Sequence, residues 1–252
     1  MIAKARSVGK RVLRAFGVDA HAAHPPGSRL RPLGMTRGVL EDIRARGFAP
    51  RLIFDVGASN GSWSQMASDV FPGARLVLVD PRPDAAPALT EFCRSNDRFS
   101  AELVAVGPEP GSATMTDWET GSTLLPVDPS GSPQLKVPVT TLDSLAAKWG
   151  RPDLIKMDIE GFELQALRGA SSLLGVTEVF IIEVALFRFV DRPMLHDVVG
   201  FMERHDYVVY DICDSIRRPF DGALGLLDLC FARRGSSLRS SETAWHAGAD
   251  HD

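Results

Sequence analysis

The feature that most constrains this chain is a repeated alternation. Short apolar runs stop on a glycine or an aspartate, and stretches of helical periodicity separate them. Arg51–Val56 stops at Gly57, Ala74–Val79 at Asp80, Ala101–Val106 at Gly107, and the run from Leu154 at Asp158; Glu178–Val184 is a further run. Apolar runs this short, bounded by turn residues, read as buried strands. Helical patterns lie between them at Ser62–Val70, Asp84–Arg94, Thr141–Trp149, Phe162–Leu174 and Arg192–His205. A further helix, with Thr36 as its cap, runs to about Arg46 before the first strand. Such alternation implies βαβ units and a mainly parallel sheet. The last two runs, Tyr207–Cys213 and Leu226–Ala232, are joined by a loop containing Pro219 and Gly222, with no helix between them. That connection fits an antiparallel pair. The expected fold is α/β: a Rossmann-like, seven-stranded, mainly parallel sheet closed by a C-terminal antiparallel hairpin.

The domain reading follows. Residues 36–234 form one domain. Residues 108–140 interrupt it with a segment rich in Gly, Pro, Ser and Thr, expected to form a hairpin or lid-like insertion. Residues 1–35 are a basic amphipathic segment, and residues 235–252 a polar tail expected to be disordered. Within residues 1–16, Lys4, Arg6, Lys10, Arg11 and Arg14 interleave with Ile2, Val8, Val12, Leu13 and Phe16. This pattern suits peripheral contact with an anionic membrane; packing on the domain or on a partner subunit is the plainer reading.

Composition narrows the partners. A net charge of -4 argues against a surface that coats nucleic acid. Cys93, Cys213 and Cys230 are widely spaced and offer neither a disulfide framework nor a zinc motif, which fits a reducing cytoplasm. No apolar run approaches the roughly 18 residues of a spanning helix.

Chemistry concentrates at the strand ends, where ligands sit in open α/β sheets. Asp55-Val56-Gly57-Ala58-Ser59-Asn60-Gly61 is a glycine turn between a strand and a helix. Its G-x-x-x-G spacing is not the dinucleotide fingerprint, which disfavours a nucleotide-dependent oxidoreductase. Asp80 closes the next strand, where an acid accepts hydrogen bonds from ribose hydroxyls. S-adenosylmethionine (SAM) carries that ribose without a pyrophosphate, and its amino-acid end suits Asp55 and the glycine turn. Strand alternation puts Lys156 and Asp158 on one face, with Glu160 just beyond.

These motifs together resemble the FkbM family of SAM-dependent methyltransferases. The resemblance is carried by Phe54–Gly61, Asp80-Pro81, Val104-Ala105-Val106-Gly107 followed by Gly111, Val139–Leu145, Leu154–Glu163, Leu167–Ala170 and Ile182-Glu183. It covers roughly residues 50 to 185, and Lys156–Ala170 is its most specific block. Asp80 stands where many relatives carry glutamate. The resemblance implies the class I methyltransferase architecture, with Asp55, Gly57, Ala58, Asn60, Gly61, Asp80, Pro81, Ala105 and Val106 at the cofactor. It implies methylation of a hydroxyl on a sugar, glycolipid or glycosylated natural product.

Lys156, Asp158, Glu160 and Glu183 are the candidate catalytic residues. A hydroxyl nucleophile needs a general base or a metal that lowers its pKa. In one arrangement Asp158, Glu160 and Glu183 hold Mg²⁺ through oxygen ligands. In the other, Lys156 pairs with a carboxylate, and Asp158 or Glu160 orients the acceptor without a metal. His196 serves as a base only if its helix overhangs the site; a solvated helix histidine is the commoner case. A nucleic-acid or protein N-methyltransferase is disfavoured, because Asp158-Ile159-Glu160-Gly161 replaces the Asn/Asp-Pro-Pro-aromatic tetrapeptide. Intact Gly57, Gly61 and Asp80 argue against a non-catalytic scaffold. A carbohydrate or glycolipid acceptor, no nucleic acid and a homo-oligomeric state complete the expectations.

Overall fold

The computed structural model describes residues 33–116, 122–125, 134–189 and 191–240. The elements are α1 (Thr36–Ala45), β1 (Leu52–Val56), α2 (Ser62–Val70), β2 (Arg75–Val79), α3 (Ala86–Arg94), β3 (Phe99–Glu102), β4 (Ala105–Val106), β5 (Gly111–Thr116) and β6 (Gln134–Thr140). They continue with α4 (Leu142–Trp149), β7 (Leu154–Met157), α5 (Glu163–Arg168), β8 (Val179–Ala185), α6 (Leu195–Arg204), β9 (Tyr207–Arg217) and β10 (Leu224–Arg233).

Seven strands form one sheet in the order β3-β2-β1-β7-β8-β10-β9. The first five run parallel, and β10 pairs antiparallel with both β8 and β9. The order reverses between β1 and β7, so a crevice opens at their carboxyl ends. Alternation along the strands feeds two cores. Leu52, Phe54 and Val56 pack with α4, α5 and α6 on one face. Ile53, Leu76 and Leu78 pack with α1, α2 and α3 on the other. The all-buried pattern of β1, β7 and β8 is what a sheet covered on both faces demands.

Several expectations shift. The apolar run Ala101–Val106 is not one strand: Phe99–Glu102 pairs with β2, the chain leaves the sheet at the exposed Leu103, and Ala105–Val106 pairs with β6. An apolar run carries no mark of a change of sheet. The predicted hairpin is present, since β5 and β6 pair antiparallel and with β4 make a second, three-stranded sheet. Thr36 is the first helical residue, not the cap, and its hydroxyl donates to Cys213 O at 3.2 Å. The helix predicted over Phe162–Leu174 spans only Glu163–Arg168 and is capped by Gly169, which lies so close to Gly107 that a Cβ would fall 2.4 Å from its carbonyl oxygen. At the other end of the chain, Ser237–Arg239 form a 3-10 turn with Leu238 buried, inside the span read as a disordered tail.

The basic segment, apart from Leu33–Met35, lies outside the described residues, as do residues 241–252 and Trp118, whose ring the sequence offers either to the core or to stacking on an acceptor. Among the described residues no helix is long and apolar enough to cross a membrane.

Candidate active site

The centre of the crevice is a contact between two strand-end turns. Gly57 has φ +84°, and a Cβ there would lie 1.8 Å from the Asp158 carbonyl oxygen. Only glycine permits that approach. Backbone hydrogen bonds seal it: Gly57 N and Ala58 N donate to Val79 O at 2.8 and 3.1 Å, and Asp158 N donates to Val56 O at 3.0 Å. The ends of β1, β2 and β7 are thus one rigid unit.

Three hollows meet around it. A cavity of ≈ 330 Å³ is lined by Gly57, Asp80, Pro81, Ala105, Val106, Asp158, Glu160 and Glu183. A wider cleft of ≈ 740 Å³, also bordered by Gly57, is lined by Ala58, Asn60, Trp63, Lys156, Asp158, Asp214 and Asp228, among others. A small hollow of ≈ 110 Å³ joins Asp158, Glu183, Asp214 and Asp228. Asp158 lines all three.

Two predicted cofactor residues line none of them. Asp55 is fully buried beneath the glycine turn; its Oδ2 accepts from Ser64 Oγ at 2.7 Å, and Oδ1 faces Lys156 Nζ at 3.5 Å. Asp55 therefore supports the turn from below. Gly61, with φ +80°, starts α2 and packs near Phe92 and Leu78. Asn60 steadies the same turn by accepting from Ser62 N at 3.0 Å.

Lys156 is buried between Asp55 and Asp158, at 3.5 and 3.4 Å, and donates to Gly57 O at 3.2 Å. Burial opposes its charge, but Asp55, Asp158 and Asp228 outweigh that and hold the ammonium above its ordinary pKa. Lys156 is thus a fixed cation rather than a base. Burial raises the Asp55 pKa, opposed chiefly by Lys156.

Asp80 is buried, with both oxygens engaged. Oδ2 accepts from Ser59 N at 2.8 Å, and Oδ1 from Arg82 N at 3.0 Å. The Arg82 guanidinium adds one contact to each oxygen, at 3.0 and 3.1 Å. Arg82 carried no signal in the sequence reading.

Glu160 and Glu183 are drawn together by Arg192, which the sequence marked only as the start of a helical stretch and which precedes the helix that begins at Leu195. Arg192 pairs with Glu160 and reaches Glu183 Oε2 at 3.3 Å. Its side chain occupies the space a Cβ on Gly161 would need, 2.4 Å from Arg192 Cγ. Burial, then Asp158, Glu163 and Asp228, push the Glu183 carboxyl up to about 9 despite Lys156. Glu163 accepts from Ile159 N and Gly161 N at 3.0 and 3.2 Å, clamping the carboxylate turn, and burial pushes it up to about 7. Asp228 is pushed up to about 6 by burial and by Asp158.

The three predicted metal ligands, Asp158, Glu160 and Glu183, all line the 330 Å³ cavity, and each faces a cationic side chain. Among the described residues no group of three or more His, Cys, Asp or Glu side chains is placed to hold an ion. Glu160 pairs with Arg192, and Asp158 with Lys156. His196 is a largely exposed helix residue beside Asp197, and the lining of the three hollows does not include it. Trp149 donates to Glu102 Oε1 at 2.7 Å and packs in the core, while Trp63 packs against the opposite core and also lines the wider cleft.

The insertion reaches this site. Met115, Ser122 and Leu124 line the 330 Å³ cavity, and Thr123 Oγ1 donates to Glu160 O at 2.7 Å.

A sequence model of the methyltransferase FkbM domain matches residues 55–209. No curated protein matches the chain. Among solved structures it is similar to the precorrin-6y C5,15-methyltransferase of Geobacter metallireducens GS-15, at 14% identity and TM-score 0.46, covering 78% of this chain and 86% of that one. It is also similar to the 1,6-didemethyltoxoflavin-N1-methyltransferase of Burkholderia thailandensis, at 14% identity and TM-score 0.43, covering 79% and 76%. The fibrillarin of Aeropyrum pernix is similar at 13% identity and TM-score 0.43, covering 71% and 66%. The strand order found here is that of the class I methyltransferase architecture.

Proposed function

This chain belongs to the FkbM methyltransferase family, and we propose that it moves a methyl group from SAM to a hydroxyl of a sugar, glycolipid or glycosylated natural product, using its own carboxylates rather than a metal. The observation that carries this reading is the single cavity joining Gly57, Asp80 and Asp158 at three neighbouring strand ends.

SAM, when bound, supplies a sulfonium methyl open to in-line attack. Asp80 suits its ribose hydroxyls, and Pro81, Ala105 and Val106 offer an apolar wall for its base. The open face of Gly57–Asn60 suits its amino-acid end. Asp158, reached from all three hollows, is placed to take the hydroxyl proton as the oxygen attacks. The fixed Lys156 ammonium orients that carboxylate. Glu183, raised to about 9, carries its proton at neutral pH and serves as a hydrogen-bond donor toward the acceptor. Positioning of this kind supplies much of the rate in a displacement reaction. For a glycolipid acceptor, residues 1–16 would bring the enzyme to an anionic membrane.

The test is transfer of labelled methyl from SAM to cell glycan and glycolipid fractions, with and without EDTA. Label should enter an alkali-stable methyl ether, and EDTA should change nothing. Label in protein or nucleic acid alone would overturn the acceptor reading, and loss of transfer to EDTA with recovery on Mg²⁺ would overturn the metal-free one.

A further inference from the structure

We infer that the Arg82 guanidinium occupies the ribose-diol position of the cofactor site and must be displaced from Asp80 for the cofactor to bind. The inference rests on Asp80 as the ribose acid. An ionised carboxylate accepts about four hydrogen bonds, two per oxygen. On Oδ1, one comes from the backbone N–H of residue 82 and one from Arg82 Nε, both at 3.0 Å. On Oδ2, one comes from the backbone N–H of Ser59 at 2.8 Å and one from Arg82 Nη2 at 3.1 Å. The backbone fills one position on each oxygen, and the guanidinium fork fills the other.

A vicinal diol presents the same pattern: two O–H donors, one for each carboxylate oxygen. The fork and the ribose therefore compete for the same two acceptor positions. Both residues are at most 9% exposed, and both line the 330 Å³ cavity, so a ribose entering that cavity meets the fork at Asp80. The arrangement has a physical rationale. Without cofactor, Asp80 would be a buried carboxylate lacking a counter-charge, which is costly. Arg82 supplies that charge, while Ser59 N and Arg82 N hold Asp80 in place whichever partner faces it. The cofactor then binds only the fraction of molecules whose fork is withdrawn. If that fraction is about one tenth, apparent affinity falls about tenfold. The same return of the fork assists product release.

The experiment is calorimetric titration of S-adenosylhomocysteine into the full chain, the Arg82→Met variant and the Arg82→Lys variant. Arg82→Met should bind roughly tenfold more tightly than the parent. Arg82→Lys should gain less, because an ammonium cannot span both oxygens. With the 2′,3′-dideoxy analogue, which lacks the diol, neither variant should gain. This contrast separates competition from a merely structural role. Equal or weaker binding by folded Arg82→Met overturns the inference, as does an equal gain with the dideoxy analogue. If Arg82→Met does not fold, absence of any gain in Arg82→Lys overturns it. A parent that binds, with no gain in either variant, rejects Arg82 alone. Folded parent and variants that all fail to bind reject the ribose role of Asp80 with it.

Discussion

Asp228 on β10 stands directly opposite Glu183 on β8, two carboxyl groups paired across an antiparallel ladder. Like charges in this relationship repel. Glu183 relieves the repulsion by keeping a proton: burial first, then Asp158, Glu163 and Asp228, raise it to about 9, while burial and then Asp158 raise Asp228 to about 6.

Stability of the ligand-free protein should therefore fall as pH rises. Glu183, Glu163 and Asp228 have folded pKa values of about 9, 7 and 6, above their ordinary 4.5, 4.5 and 3.8. Their contribution is fully present below the ordinary values and is lost as pH climbs through the folded ones. Each contributes a slope of up to about 1.4 kcal/mol per pH unit inside its window. Thermal melts from pH 5 to 9 should show the decline, and Glu183→Gln should flatten its alkaline part. A Tm that rises over that range in the parent would reject these protonation states.

Lys156→Met should cost about 3–5 kcal/mol, the usual consequence of stranding a buried charge. Asp55 is the stranded partner, since its Oδ1 has no hydrogen bond and faces only that ammonium at 3.5 Å. Adding Asp55→Asn should recover most of the stability in chemical denaturation while activity stays low. Failure of the second change to recover any stability would locate the effect elsewhere.

Asp158→Asn should fold and bind S-adenosylhomocysteine like the parent but lose about 10²–10⁴ in kcat, the scale of a positioned proton acceptor. Single-turnover methyl transfer measures this directly. Turnover at the parent rate would remove Asp158 from the chemistry.

Two glycines in the same left-handed conformation should behave differently. Gly175, with φ +78° and nothing within 4 Å of a Cβ, should tolerate alanine at about 1–2 kcal/mol. Gly57→Ala drives a Cβ to 1.8 Å from backbone and should exceed about 4 kcal/mol or prevent folding. Urea denaturation of the two variants would show the gap, and equal costs would contradict the tight contact between the strand ends.

Asp80→Asn should weaken binding of S-adenosylhomocysteine by about 1.5–3 kcal/mol, as charged hydrogen bonds are lost. Calorimetry giving an unchanged Kd would take Asp80 out of the cofactor site.

The sheet was readable because strand-ending Gly57, Asp80 and Asp158 punctuate buried runs that periodicity alone locates. The switch of sheet at Leu103 was not readable, since apolar residues on both sides of it are buried in different sheets. The same limit governs the site. Gly57, Asp80 and Asp158, each announced by a strand end, line one cavity, and Asp158 lines all three hollows. Arg82, Arg192 and Asp228 were not announced, because each acts through a partner set by tertiary packing. Arg192 meets Glu160 only because Gly161 leaves room, and Asp228 meets Glu183 only through the register of the β8–β10 pair.

The hydrogen bond from Thr123 to the Glu160 carbonyl ties the wall of the pocket to its floor. A loop that only covered an entrance could be exchanged freely between enzymes to change what enters. Here the exchanged segment would also carry one of the supports of the carboxylate turn. Remodelling acceptor choice through this insertion therefore means grafting Thr123 with it, or re-seating Glu160 by another hand.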